Sequence, residues 1–347
     1  MAIAYEAPVH PDDLTIFTRN VPLQQNLVLD RILPDRNIGD NRVDIGRLTK
    51  TGRTAKFRVF DGPIGRTQRD SYTVQNVALP PLSDAIGIGE FERLQMQFAK
   101  TGGTNNAALV NAIYDDAAML TGNVRRRMEL ARGDVLVDGK FTLAGEGGLY
   151  MEADYGVPGG NLVTAGTLWS DTANADIVAD LNTWCQAYLD LNGFLPGGMI
   201  LSRQTIQKLL VNTKLRTSYG NIVGTATLLR RDQIDNTLSS YDLPPIELVY
   251  DSSVDVDGTS TRILPANKVI FTPPAGQPLG YTAWGVSATA LELVNSSDSE
   301  LTFEDAPGIV GVVVKKDEPP FRQTTFVDAV GMPVIENPNY LMVATVA

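Results

Sequence analysis

The sequence predicts an α+β protein with more than one lobe. Three observations carry that prediction. Residues 104–132 place apolar side chains at helical spacing over about eight turns. Residues 170–290 alternate helical and strand patterns, the signature of an α/β lobe. β-prone runs bounded by Gly and Pro lie before, between and after these two stretches.

At 347 residues the chain is long enough for two or three lobes. Its 31 Gly and 20 Pro are spread along the chain, which implies many turns. Cys185 is the one cysteine, so no disulfide forms within the chain. Stability must come from packing and assembly, as in a reducing compartment. The first 17 residues have neither the basic n-region nor the apolar h-region of a secretion signal. No apolar run approaches the ~20 residues needed to cross a bilayer.

The net charge of −11 is uneven. Residues 1–100 carry 13 Lys and Arg against 12 Asp and Glu, and residues 101–140 carry five of each. Residues 141–347 carry 11 against 23. Within the first part, residues 50–70 hold six basic and two acidic side chains. A basic segment on an acidic body suits attraction between copies, although a solvated, unevenly charged surface gives the same count. So acidic a chain does not suit strong nucleic-acid binding, which needs clustered Lys and Arg.

Residues 1–47 read as an extended arm. Pro8, Pro11, Pro22 and Pro34 limit any helix to a few turns. Its scattered apolar side chains (Leu14, Ile16, Phe17, Leu27, Leu29, Ile32) need a surface to lie on, and a neighbouring subunit is one candidate. Residues 50–80 read as a long hairpin. The run 56–59 alternates basic and apolar, 61–65 is turn chemistry, and 71–79 returns as a strand ended by Pro80 and Pro81. A two-stranded hairpin with few large apolar residues is marginal alone, so it is a flap or it docks elsewhere. Residues 90–99 read as a short amphipathic helix.

In the long helix, Leu109, Ile113, Ala117, Leu120, Val124, Met128 and Ala131 recur at steps of three and four. Thr104 or Asn105 is the expected cap, and Arg125, Arg126, Arg127 and Arg132 suit its carbonyl-rich end. The core face is expected on Leu109, Ile113, Leu120, Val124 and Met128. Val135 to Val137 then reads as a strand, with Asp138-Gly139 as a hairpin turn. A boundary is expected at 157–160. In the following lobe, Ile177, Leu181, Trp184, Tyr188 and Leu191 mark a helix capped by Asp171 or Thr172. Residues 198–201 read as a buried strand, and Ser202 as the N-cap of a helix over 203–211. Strands are expected at 246–250, 269–271, 284–294, 308–315, 324–329 and 340–346.

Catalytic chemistry is hard to assemble from these residues. His10 is the one histidine, which excludes His-based metal triads and argues against a Ser-His-Asp triad. There is neither a Walker A sequence nor a dinucleotide-binding fingerprint. Asp115 and Asp116 diverge by about 100° on a helix and do not share a ligand. Asp251, Asp255 and Asp257 lack the spacing of a calcium loop, so a turn is expected. Cys185 beside Trp184 reads as a structural thiol. No catalytic, cofactor-binding or metal residues are expected, and the chain is read as a non-enzyme. Arg125, Arg126 and Arg127 are candidates for contact with a partner's carboxylates or packaged nucleic acid, although their place at a helix end already accounts for them.

The order of parts is unusual: arm, basic hairpin, short helix, long helix, small hairpin, α/β lobe, returning strands. Three stretches carry a resemblance, RRRMELARGDVLVDGKFTL at 125–143, LNGFLPGGMILSRQTIQKLL at 191–210 and PPFRQTTFVDAVGMPVIENPNYLMVATVA at 319–347. The chain is similar to tailed-phage major capsid proteins of the Hong Kong 97-type fold, most of all to the lambda-type capsid E family. The resemblance implies an N-terminal arm at 1–47 and an E-loop hairpin at 48–83. It implies a P-domain over 84–168 with the spine helix at 104–132, an A-domain over 169–294, and P-domain return strands over 295–347. It implies a structural subunit that assembles with itself into hexamers and pentamers of an icosahedral shell around double-stranded DNA, in the host cytoplasm and then in the virion. The DNA is enclosed without sequence-specific binding, and no membrane or cofactor is implied. Arg53, Lys56, Arg58, Arg66 and Arg69 would make intersubunit contacts from the E-loop. The short leading arm leaves no room for a fused scaffold domain, so a separate scaffolding protein is expected, with a portal protein and a decoration protein as further partners. Some relatives crosslink this loop through a lysine; Lys56 has no matching acceptor, and no crosslink is expected. An encapsulin-type compartment shell and a phage tail-tube or sheath protein are the alternative readings. Particle contents and particle shape distinguish them.

Overall fold

The structure, a computed structural model, describes residues 2–5, 7–49, 71–91, 106–219, 228–316, 318–319 and 322–347. After a two-residue strand β1 (Ala2–Ile3), the chain forms helix α1 (Pro11–Asn20). Pro11 sits in the first turn, where a missing N–H costs nothing. His10 Nδ1 caps that turn by accepting from the Asp12 N–H at 3.4 Å. The arm is therefore partly helical, where the prolines suggested extended chain. It also lies on its own subunit. Leu14 is buried with Ile113, Ala117 and Val313, and the Thr15 hydroxyl donates to the Gly311 carbonyl at 3.2 Å. Leu27, Leu29 and Leu33 enter the main core, while Ile16 and Leu23 stay exposed.

Next come β2 (Asp35–Asn37), β3 (Arg42–Thr49), β4 (Ser71–Ala78) and β5 (Pro81–Ile88). The hairpin's first strand begins eight residues before the expected one. Pro81 does not end the sheet structure but opens a new strand, a position where its missing donor is tolerated. The short helix predicted over 90–99, and the caps Thr104 and Asn105, lie outside the described residues apart from positions 90 and 91.

Helix α2 (Asn106–Asp138) has 33 residues, hence a length of about 50 Å. It runs six residues past the predicted end. Val135 and Leu136, read as strand from their β-branched and apolar run, are fully buried on the helix. Burial of that face outweighs local propensity. Gly139 stops the helix at φ +74°, its N–H donating to the Val135 carbonyl at 2.9 Å. A Cβ there would clash with the Val157 side chain. The hairpin that follows, β6 (Lys140–Glu146) with β7 (Leu149–Asp154), therefore turns at 147–148 and not at Asp138-Gly139.

Strand β8 (Leu162–Thr164) opens the second lobe. It continues with α3 (Ile177–Asn192), β9 (Gly198–Leu201), α4 (Arg203–Val211), α5 (Thr213–Tyr219), α6 (Arg231–Ser240) and β10 (Ile246–Val249). The cap of α3 is Asp176, which accepts from the Ala179 N–H at 3.1 Å; Asp171 instead ties its own turn to Asn174. Ser202 caps α4 as expected, accepting from the Thr205 N–H at 3.1 Å. The small hairpin β11 (Ser253–Val256) and β12 (Thr259–Arg262) turns at Asp257 and Gly258, both at positive φ. Strands β13 (Lys268–Thr272) and β14 (Gly280–Trp284) precede helix α7 (Ala288–Val294). The run 284–294 is thus a strand end, a Gly285 break and a helix capped by Ser287 on Ala290, not one alternating strand. The chain ends with β15 (Val310–Lys315), β16 (Gln323–Ile335) and β17 (Met342–Thr345).

Two sheets organise these parts. The first has the order β1-β15-β16-β14-β2, with β5 also on β16. The first half of β16 lies between β15 and β5, and its second half pairs with β14. The second sheet has the order β10-β9-β13-β17-β8. The terminal strand β17 sits inside this second sheet, between β13 and β8, although its position in sequence groups it with the return strands. Conversely β14, within the stretch read as the α/β lobe, belongs to the first sheet. One core joins the second half of α2 to β14, β16 and the root of the β3–β4 hairpin; another fills the α3–α6 lobe.

Candidate functional site

Self-association, which the sequence implies, needs surface for neighbours and rigidity behind it. The hairpin is the first such feature. Strands β3 and β4 pair over eight residues, from Arg42 with Ala78 to Thr49 with Ser71. Among the described residues their backbone ladder is to each other alone. Val43, Ile45, Val77 and Leu79 bury one face at the root against the main core. On the opposite face Asn76 donates to Asp44 at 2.7 Å, in solvent. The five basic residues predicted for intersubunit contact, Arg53, Lys56, Arg58, Arg66 and Arg69, lie outside the described residues.

Helix α2 is the second feature. Ile113, Leu120, Val124 and Met128 are buried, with Ala117 and Ala131 on the same stripe. Leu109 lies within the helix, and its side chain is outside the described residues. The stripe faces two partners. Ile113 and Ala117 meet α1 and β15, while Leu120 to Leu136 meet β16 and the hairpin root.

The three arginines that are candidates for contact with a partner or the genome are each bound within the subunit. Arg125 donates to the carbonyls of Val21 and, at 3.1 Å, of Arg19, closing the C-terminus of α1. Burial lowers its pKa. Arg126 donates to Gln24 Oε1 at 3.2 Å and to Asn123 Oδ1 at 2.6 Å. Arg127 forks onto the Glu146 carboxylate, with Nε 3.0 Å from Oε1. The helix-end reading is also superseded for this group, because α2 continues for eleven residues past Arg127.

A buried polar cluster escaped the sequence reading. Glu129 is fully buried and accepts from the Leu29 N–H at 2.8 Å, the Tyr250 hydroxyl at 2.9 Å and Arg132 at 3.1 Å. Arg132 also donates to Thr282 Oγ1 at 2.8 Å and to Asp35. The arm, the long helix, the first sheet and the second lobe thus meet at one ion pair. Removing one partner of such a pair strands a buried charge and costs about 3–5 kcal/mol. The sequence signal was a charged pair three apart on a helix, directly beside the apolar stripe.

The remaining candidates are structural. Cys185 is buried against Trp184, and burial pushes its thiol up to about 11. Asp255 accepts from the Gly258 N–H at 2.7 Å and serves its own turn, whereas Asp251 accepts from the Arg203 N–H at the start of α4 at 2.7 Å and pairs with Arg262. Among the described residues no three His, Cys, Asp or Glu lie together as a metal site, and no helix is long and apolar enough to cross a membrane.

The family profile described as "Phage major capsid protein E" matches residues 11–346. The chain belongs to the phage major capsid protein E family. It is therefore a structural component of a phage capsid and virion, in a family of structural proteins. Two solved structures share the fold. A protein described as a prophage capsid protein of E. coli CFT073 superposes with a TM-score of 0.52 at 17% identity, over 80% of each chain. A phage-related protein of Bordetella bronchiseptica RB50 gives 0.55 at 14%, over 96% of this chain and 95% of that one. The α+β architecture is that of the Hong Kong 97-type capsid proteins. Among curated proteins no sequence match was found.

Proposed function

We propose that copies of this major capsid protein associate as hexamers and pentamers and close an icosahedral shell around phage double-stranded DNA. The observation that carries this reading is the β3–β4 hairpin. Its described side chains bury one face at the root, and among the described residues it has no third strand. Such a ribbon gains further burial only against another surface. The basic residues Arg53, Lys56, Arg58, Arg66 and Arg69 then meet an acidic patch on a neighbouring subunit, drawn from the −12 of residues 141–347. Repeated by symmetry, many modest contacts make a stable shell. The fold rests its own arm on its own helix, so the hairpin and not the arm is the main reach toward neighbours.

Assembly takes place in the host cytoplasm with a separate scaffolding protein and a portal, and a decoration protein is a further partner. DNA is enclosed by the shell's shape and not read by sequence. No crosslink forms through Lys56. Electron microscopy tests the reading: closed shells are expected from purified protein with its scaffold, and closed, DNA-filled shells in the virion. Rods, shells filled with a cargo enzyme, or small monodisperse species under all conditions would each overturn it.

A further inference from the structure

The strip of chain that carries the hairpin is held in part by the buried ion pair of the long helix. From the 3₁₀ turn Leu29–Arg31 to Arg42, the strip pairs β2 in parallel with β14, the Pro34 carbonyl accepts from the Thr282 N–H at 2.8 Å, and further contacts add to this ladder. The Leu29 N–H reaches Glu129, Asp35 reaches Arg132, and the Leu33 carbonyl accepts from Thr282 Oγ1 at 2.9 Å. The Ile38 N–H donates to the Trp284 carbonyl at 2.8 Å, and Asn41 Oδ1 accepts from the Val286 N–H at 2.9 Å. The bonds from Leu29, Leu33, Pro34 and Asp35 run directly to Glu129, Arg132 or Thr282, the members of one cluster. Leu29 and Leu33 are fully buried at the start of the strip, while β2 itself is three residues long and exposed throughout, so from Asp35 to Asn37 polar contacts and the β14 ladder hold it.

We propose that the Arg132–Asp35 contact is a joint that aims the hairpin for assembly, with both residues acting as positioning residues. The proposal rests on the shell reading above. The mechanics are those of a lever. Each described hairpin strand has eight residues, about 25 Å at ~3.4 Å per residue. A turn of about 10° at the root then shifts the far end by roughly 4 Å, enough to lose side-chain contact with a neighbour. Asp35 is the right member to remove. It is half exposed, and without it Arg132 keeps Glu129 and Thr282, so the buried pair stays neutral. A merely structural role would change melting and nothing else.

The test uses the full chain with the variant Asp35→Ala. Expected are a folded monomer, faster hydrogen exchange at residues 29–41, and unchanged exchange in the second sheet. Expected too is a yield of closed shells reduced about tenfold at fixed protein concentration, because a small defect is repeated at every contact. The direct readout is a spin-label distance between Cys introduced by D44C on β3 and D115C on α2, both exposed sites. Buried Cys185 stays unlabelled. The distance distribution should broaden in Asp35→Ala monomers. A wild-type distribution overturns the joint, whatever shells do, and so does wild-type shell yield from the variant. If wild-type protein forms no shells, the shell reading fails while the monomer distance still decides the joint. Asp35→Asn, which keeps the acceptor oxygen, should restore most of the narrow distribution; no restoration would overturn a role for that contact.

Discussion

Arg127 on the long helix grips Glu146 at the end of β6 through three donor–acceptor contacts, Nε lying 3.0 and 3.2 Å from its two oxygens. The pair ties the β6–β7 hairpin to the helix from which it springs. The hydrogen bonds from Arg127, with its charge, hold the Glu146 carboxyl below its ordinary value near 4.5, against a smaller opposing effect of burial. The carboxyl is depressed in the fold, so the pair's contribution is fully present above the unfolded-state value. It is lost as pH falls through the depressed folded value. Glu146 is more than half exposed, so Glu146→Gln should cost no more than about 1 kcal/mol at pH 7. Urea titrations at pH 7 and pH 3 should show the difference between wild type and variant shrinking at the lower pH.

Leu120 is nearly fully buried between the long helix and the main core. Leu120→Ala should destabilise the monomer by about 2–5 kcal/mol through lost burial and a cavity. The same substitution at exposed Met119, one residue away, should stay within about 0.5 kcal/mol. Chemical denaturation of the two variants side by side checks the orientation of the apolar stripe.

Gly139 combines a left-handed backbone with no space for a side chain. Gly139→Ala should cost roughly 2–4 kcal/mol, from αL strain and from the displacement of Val157. Gly147→Ala, also at positive φ but with open space around it, should cost only about 1 kcal/mol, which isolates the clash.

Cys185 should be inert in the folded chain. Its thiol is buried and raised to about 11, so little thiolate exists at pH 8. A colourimetric thiol reagent should react at once in denaturant and at least about a hundredfold more slowly without it. Equal rates would place Cys185 at the surface.

Reversal of Arg53, Lys56, Arg58, Arg66 and Arg69 to Glu should leave a monomer with unchanged circular dichroism and abolish shell assembly. Raised salt should weaken wild-type assembly in parallel, since exposed charge pairs are screened. Normal shells from the reversed protein would remove these residues from the interface.

The sequence by itself determined the long helix, because its apolar stripe repeats over many turns and no other structure has that period. It also determined the buried strand Gly198–Leu201 and its capped helix, where Ser202 supplies a local oxygen for a local N–H. Local chemistry was misleading wherever burial outweighed it. Val135 and Leu136 stayed helical because the core lies on their face, and the Asp138-Gly139 pair became a helix stop and not a hairpin turn. Only the tertiary structure decided the long-range relations. It put β17 inside the second sheet and β14 in the first. It bound Arg125, Arg126 and Arg127 within their own subunit, and it brought Glu129 and Arg132 to Asp35 and Tyr250. Asp35 lies 97 positions from Arg132 and Tyr250 lies 121 from Glu129, and no periodicity encodes which distant partner a buried charge finds.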